Sequence, residues 1–168
     1  MKISVCRHNT GSMCKNAKQL VELMEHVRYT EFTRLKSPLE VFLDTSGSCH
    51  DQVMLEYQEL DSMGLDPQAK FIMAADADGQ GLETHSFVYF FDSDKWYWFE
   101  NAWEDLKGLH EYSSEDELID SVMFAFGRRT DFDKLYIADF NPDEHTIGEN
   151  LESLVDICMN SAVEYKID

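Results

Sequence analysis

The chain of 168 residues contains only three prolines and eight glycines, and no internal repeat or low-complexity stretch divides it. That leaves little material for a flexible linker. A single domain over residues 1–168 is expected, long enough to bury a core of its own. Cysteine is also scarce. Cys6, Cys14, Cys49 and Cys158 form no Cys-x-x-Cys pair and no metal-type spacing. A disulfide framework is therefore not expected, and a reducing, cytoplasmic setting fits best. No run approaches the roughly 20 apolar residues needed to span a bilayer. The start, Met1-Lys2-Ile3-Ser4-Val5-Cys6-Arg7-His8, lacks the apolar stretch of a secretory signal.

Positive charge is the third shortage. The chain has 14 Lys+Arg against 33 Asp+Glu, a formal net charge of -19. The imbalance is lopsided. Residues 1–60 carry 7 basic and 8 acidic residues (net -1), and residues 61–168 carry 7 and 25 (net -18). Nucleic acid and anionic membrane would be repelled, and a basic partner or substrate segment attracted. A solvated acidic surface that aids solubility explains the same pattern. Apolar and aromatic residues are plentiful, at 43% and 12%, which argues against wholesale disorder.

Periodicity gives an order of elements. Ala17, Leu20, Val21, Met24 and Val27 form one apolar stripe, predicting a helix over about 14–27. Ser37-Pro38-Leu39-Glu40 is a capping box with proline at the first helical position, predicting a short helix over 38–43. After the loop Thr45-Ser46-Gly47-Ser48, Ser48 and Asp51 form a second box, so a helix should begin at Cys49 and stop before Gly64 and Pro67. Strands are expected at 70–74, 84–91 and 95–101, the last two as a hairpin about Asp92-Ser93-Asp94. A helix over 115–126, a strand over 135–138 and a last helix opened by Thr146-Ile147-Gly148-Glu149 complete the chain. Helices, a central hairpin and further helices make an α+β fold rather than alternating βαβ units.

Cys49 is the most informative residue in that order. A thiol at a helix N-terminus sits in a positive potential that favours the thiolate, and the free N–H groups there can bind an oxyanion. A small buried residue at a helix start is the structural alternative. His85 opens the aromatic strand, with Phe87, Tyr89 and Phe91 on its face and Ser86, Val88 and Phe90 on the other. The hairpin folds Glu100-Asn101 back beside His85, and only one of the two can point to the histidine's face. Thiol, imidazole, and carboxylate or amide follow in an order suited to a nucleophile, its base and the group that orients the base.

The segment His85-Ser-Phe-Val-Tyr-Phe-Phe-Asp-Ser-Asp-Lys-Trp96-Tyr-Trp-Phe-Glu100-Asn-Ala-Trp103 resembles the histidine-to-aspartate hairpin of the transglutaminase-like superfamily. There the acid falls four residues past a tryptophan, as Glu100 does past Trp96, and a later aromatic follows, as Trp103 does. Gly47-Ser48-Cys49-His50-Asp51 resembles the Gly-x-Cys helix start of the same superfamily. The resemblance covers about residues 45–105. It implies a papain-like fold, with the nucleophile helix packed on a small antiparallel sheet and further helices at the C-terminus. It also implies a Cys49, His85, Glu100 triad for thiol-dependent acyl chemistry on peptide or glutamine-type amides. The superfamily acid is usually aspartate. Asn101 followed by Trp103 resembles the Asn-x-Trp of papain-like proteases, which leaves Asn101 as the alternative orienting residue, although the Trp96 step favours Glu100. No Gln or Trp shortly precedes Cys49, so its own N–H and the side chain of Gln52 are the oxyanion candidates, with Trp103 in support.

Other signals are weaker. Asp76-x-Asp78-x-Gln80-Gly81 echoes a calcium loop, but Phe87 occupies the twelfth position where a bidentate glutamate belongs, so a polar turn is expected. Cys49, His50, Asp51 and His85 lack the spaced pair of ligands that zinc requires. Trp96, Trp98 and Trp103 could stack on a ligand or wall a core. The expectation is a cysteine protease, amidase, deamidase or acyltransferase acting on a protein or peptide, one with basic character on the charge argument. It needs no metal or organic cofactor. The alternative is a catalytically weak binding module of the same fold that recognises a basic partner.

Overall fold

The computed structural model describes residues 12–78 and 82–167. Cys6, and the Gly79-Gln80-Gly81 part of the polar turn, lie outside the described residues. The elements run α1 (Ala17–Met24), β1 (Arg28–Tyr29), α2 (Pro38–Asp44), β2 (Ser46–Gly47), α3 (Cys49–Ser62), β3 (Gln68–Ala75), β4 (Leu82–Asp92), β5 (Lys95–Glu100), β6 (Gly108–Tyr112), α4 (Glu115–Gly127), β7 (Lys134–Asp139), α5 (Leu151–Met159) and β8 (Val163–Tyr165). Six strands form one antiparallel sheet in the order β6-β5-β4-β3-β7-β8, and β1 pairs with β2 in a short parallel ribbon.

The fold is α+β. Strand alternation divides the core in two. Phe71, Met73, Val88, Phe90 and Phe99 face the side covered by α1, α2, α3 and α5, where Leu20, Met24, Val41, Leu55 and Leu154 fill the interior. Ile72, Ala74, Phe87, Tyr89 and Trp98 face α4, against Leu118, Val122, Met123 and Phe126. The β4–β5 hairpin turns through Ser93 and Asp94, with φ of 51° and 63°. These left-handed residues give the tight two-residue turn whose twist matches the flanking strands. β5 pairs with β4 only from Val88 to Asp92. The start of β4, including His85, therefore has β3 alone as ladder partner, which leaves room beside it for the N-terminus of α3.

Capping fixes α3 in that place. The Ser48 side chain accepts from the Asp51 N–H, and Asp51 accepts from the Ser48 N–H at 2.8 Å. Asp51 also accepts from the Lys36 N–H at 2.8 Å, tying the helix start to the segment that enters α2. His50 is buried between Phe32 and Phe71, with Nδ1 2.7 Å from Ser86 Oγ and Nε2 3.0 Å from Thr84 Oγ1. Those two contacts pin the first turn of α3 onto β4. Gly47 has a steric cause: a Cβ there would lie 2.8 Å from Asp51 Cβ.

Several boundaries differ from expectation. α1 is shorter than 14–27 because Asn16 caps it and the chain leaves after Met24 for β1. The last helix does not start at the Thr146 box. The Glu149 carboxylate turns to His145 Nδ1 at 2.5 Å and its carbonyl accepts from the Leu35 N–H, so Asn150 caps α5 instead. The short strands β1, β2, β6 and β8 carried no pattern in the sequence. Among the described residues no helix is long and apolar enough to cross a membrane.

Gly47→Ala should therefore lower stability by roughly 1–3 kcal/mol, the cost of overpacking a tight contact. Urea unfolding measures it, and an unchanged midpoint would contradict the close approach.

Candidate active site

Cys49 occupies the first helical position of α3 and is 6% exposed. Of the four N–H groups that a helix start leaves without intrahelical acceptors, the capping box satisfies those of Ser48 and Asp51. The amides of Cys49 and His50 remain, beside the sulfur and at the positive end of the helix.

His85 and Glu100 are each 2% exposed, and His85 Nε2 lies 2.9 Å from Glu100 Oε2. Strand parity explains the pairing. Trp98 faces α4, so Glu100, two residues on, faces the same side, as do Phe87 and His85. Glu100 Oε1 accepts from the N–H groups of Ala102 at 2.8 Å and Trp103 at 3.0 Å, which fixes the carboxylate. The Trp103 ring stacks on His85, with centroids 3.9 Å apart and planes at 14°. Trp103 is itself held by Trp98, Phe126 and the Arg129 guanidinium, 4.5 Å above it.

The Cys49 thiol and the His85 ring act on one another's charge. Burial alone would push the thiol pKa up, but the charge and hydrogen bond of His50 and then those of His85 bring it down to about 5. Burial would push His85 down, but Glu100 and Cys49 raise it to about 10. Both shifts favour the charged forms, thiolate and imidazolium, over the neutral pair.

Asn101 lies on the opposite face of β5 from Glu100. Its amide donates to Gln52 Oε1 at 2.8 Å and to the Val27 carbonyl at 3.3 Å. Gln52 Nε2 donates to the Gly47 carbonyl at 2.9 Å. Gln52 and Asn101 thus brace the loop before Cys49 against β5, and the Gln52 amide is engaged with that loop. Among the described residues no group of three or more His, Cys, Asp or Glu is placed to hold a metal.

Sequence reasoning missed two features. Glu56, one turn beyond Gln52, is 2% exposed and feels the charges of Glu100, His85 and Cys49. Its period from Cys49 was the available signal, obscured because a glutamate on a helix is usually solvated. The second is another thiol–imidazole–carboxylate set: Cys158 Sγ lies 3.8 Å from His145 Nε2, and His145 Nδ1 lies 2.5 Å from Glu149. There burial, Glu149 and Glu144 push the thiol up to about 12. No local pattern brings residues 145, 149 and 158 together.

No protein-family model and no curated protein matches the chain. Among solved structures it is similar to LapG of Legionella pneumophila. For the EGTA-treated form the identity is 16%, over 86% of this chain and 76% of that one, with a TM-score of 0.43. For the calcium-bound form it is 16%, over 84% and 77%, again at 0.43. A third LapG structure gives 16%, over 68% and 77%, at 0.38. At this identity and these TM-scores the likeness is slight. It carries nothing about substrate, calcium or chemistry in this chain.

Iodoacetamide should alkylate Cys49 at a rate that rises through about pH 5, with Cys14 and Cys158 slow because burial raises both thiols. Peptide mapping after timed labelling reads each site. His85→Ala should move the Cys49 midpoint up toward or beyond the free-thiol value of about 8.5. A midpoint already near that value in the unaltered protein, and unmoved by the substitution, would sink the activated thiol.

Proposed function

We propose that this chain is a transglutaminase-like cysteine enzyme working through Cys49, His85 and Glu100, with residues 1–168 as one catalytic domain. The observation that carries this is the buried 2.9 Å contact between His85 and Glu100, together with Cys49 at the N-terminus of α3, where the His85 charge acts on its thiol and the capping box leaves the Cys49 and His50 amides open among the described residues.

The chemistry follows from the resting ion pair. The Cys49 thiolate attacks the carbonyl carbon of an amide, and the amides of Cys49 and His50 are the donors nearest the developing oxyanion. The tetrahedral intermediate collapses as the His85 imidazolium gives its proton to the departing nitrogen. An acyl-thioester on Cys49 and a neutral His85 remain. Water or an amine then attacks the thioester, His85 takes the attacker's proton, and the thiolate leaves with the acyl group transferred. Glu100 holds the ring with Nδ1 toward sulfur and stabilises the imidazolium that precedes each proton delivery. Trp103 covers one face of the ring and excludes water from the Glu100 contact. Water as acceptor makes a protease or deamidase, and an amine makes an acyltransferase.

A protein or peptide segment is the substrate class in view, and the acidic stretch from residue 61 onward favours a basic one. The absence of spaced cysteine pairs fits a reducing, cytoplasmic setting. Neither a metal nor an organic cofactor enters any step.

The test is a panel of basic peptides carrying glutamine and internal amide bonds, followed by mass spectrometry for cleavage, deamidation or amine incorporation and for the acyl adduct on Cys49. Cys49→Ala should abolish turnover. Glu100→Gln should lower kcat by about 100-fold or more, a typical share for an acid–base element. Turnover should fall again as the pH passes about 10, where His85 loses the proton it must deliver. Turnover that survives Cys49→Ala would overturn the proposal.

A further inference from the structure

The mechanism leaves one buried acid unused. Glu56 follows Cys49 by seven residues on α3, about two turns, so both side chains lie on one stripe of the helix. Glu56 is 2% exposed. It forms no ion pair among the described residues, unlike the half-buried Glu40, which pairs with Arg34 at 2.7 Å. The charged groups that act on it are Glu100 on β5, His85 on β4 and Cys49 on its own helix. From α1, α2 and β3, which also pack on α3, no charged group acts on it among the described residues. An armed site already holds a thiolate and the Glu100 carboxylate, and His85 is the one cation that acts on Glu56 among the described residues. A third anion in the same buried space would have no cation to answer it, and an unanswered buried charge is costly.

We propose that Glu56 carries a proton in the resting site, and that this neutral carboxyl lets the Cys49 thiolate and the Glu100 carboxylate coexist around one His85 imidazolium. The proposal regulates the same site and so rests on Cys49 being its nucleophile. Glu56 touches no reacting atom. It is a positioning residue that acts through charge. Burial, then Glu100, holds its carboxyl well above the usual carboxylate range, while His85 pulls the other way. When Glu56 loses that proton to solvent at alkaline pH, a second carboxylate faces the thiolate and the imidazolium is bound more tightly. The site then delivers its proton less readily.

Glu56→Gln and Glu56→Met, both neutral and of similar volume, test this in the full chain by two readouts. Infrared difference spectra at neutral pH should show a protonated-carboxyl band that vanishes on alkalinisation and is missing from either variant. The alkylation midpoint of Cys49 should stay within about half a unit of the unaltered protein, whereas removing an ionised neighbour would lower it by about one unit or more. Two variants keep the test open should one fail to fold. A fast-reacting Cys49 without the carboxyl band, or a midpoint lowered by a full unit in a folded variant, overturns the role of Glu56 alone. A Cys49 that reacts like an ordinary free thiol in the unaltered protein overturns the nucleophile assignment, and this role with it.

Discussion

The contact between His85 and Glu100 is the constraint around which the rest of the site is arranged. A buried carboxylate beside a buried imidazole gives up hydration on both sides, and the 2.9 Å contact alone would not return it. The backbone supplies the remainder. The N–H groups of Ala102 and Trp103 donate to the second Glu100 oxygen, and the Trp103 ring closes over His85. The chain just after β5 thus holds the Glu100 carboxylate and covers the His85 ring in one turn. With Nε2 held by Glu100, His85 joins His50 in lowering the Cys49 thiol, against the burial that raises it.

Two groupings of cysteine, histidine and glutamate in the described fold shift their thiols in opposite directions. Cys49 stands at the first position of α3, where the helix field and open amides favour negative charge. Cys158 stands in the last turn of α5, at the end where the field opposes a thiolate, with Glu149 and Glu144 adding to the opposition. One thiol is drawn to about 5 and the other pushed to about 12. The His145 set instead joins α5 to the turn before it. Glu149 then reaches Leu35 through its backbone, so this network braces the segment whose next residue, Lys36, donates to Asp51.

Much of this was legible wherever local rules decide the outcome. The Ser37 and Ser48 capping boxes located α2 and α3, because a cap depends on residues three apart. The β4–β5 hairpin followed from alternation about a short turn. Strand parity separated Glu100 from Asn101 once the register was known, since adjacent residues face opposite sides. The four short strands β1, β2, β6 and β8 were not legible. They exist because neighbouring backbone needs partners, not because of their own composition. The Thr146 box failed because Glu149 found a stronger partner in His145. Glu56 and the Cys158 set were hidden for a like reason: their neighbours come from distant parts of the chain.

The central claim is that His85 rests as an imidazolium between the Cys49 thiolate and Glu100. NMR of isotope-labelled histidine in the unaltered protein tests it most directly. At neutral pH both ring nitrogens of His85 should be protonated, with the proton shared with Glu100 shifted far downfield. Cys49→Ala should lower the pH at which the ring loses its second proton. A His85 ring with one protonated nitrogen at neutral pH, indifferent to Cys49→Ala, would contradict the account.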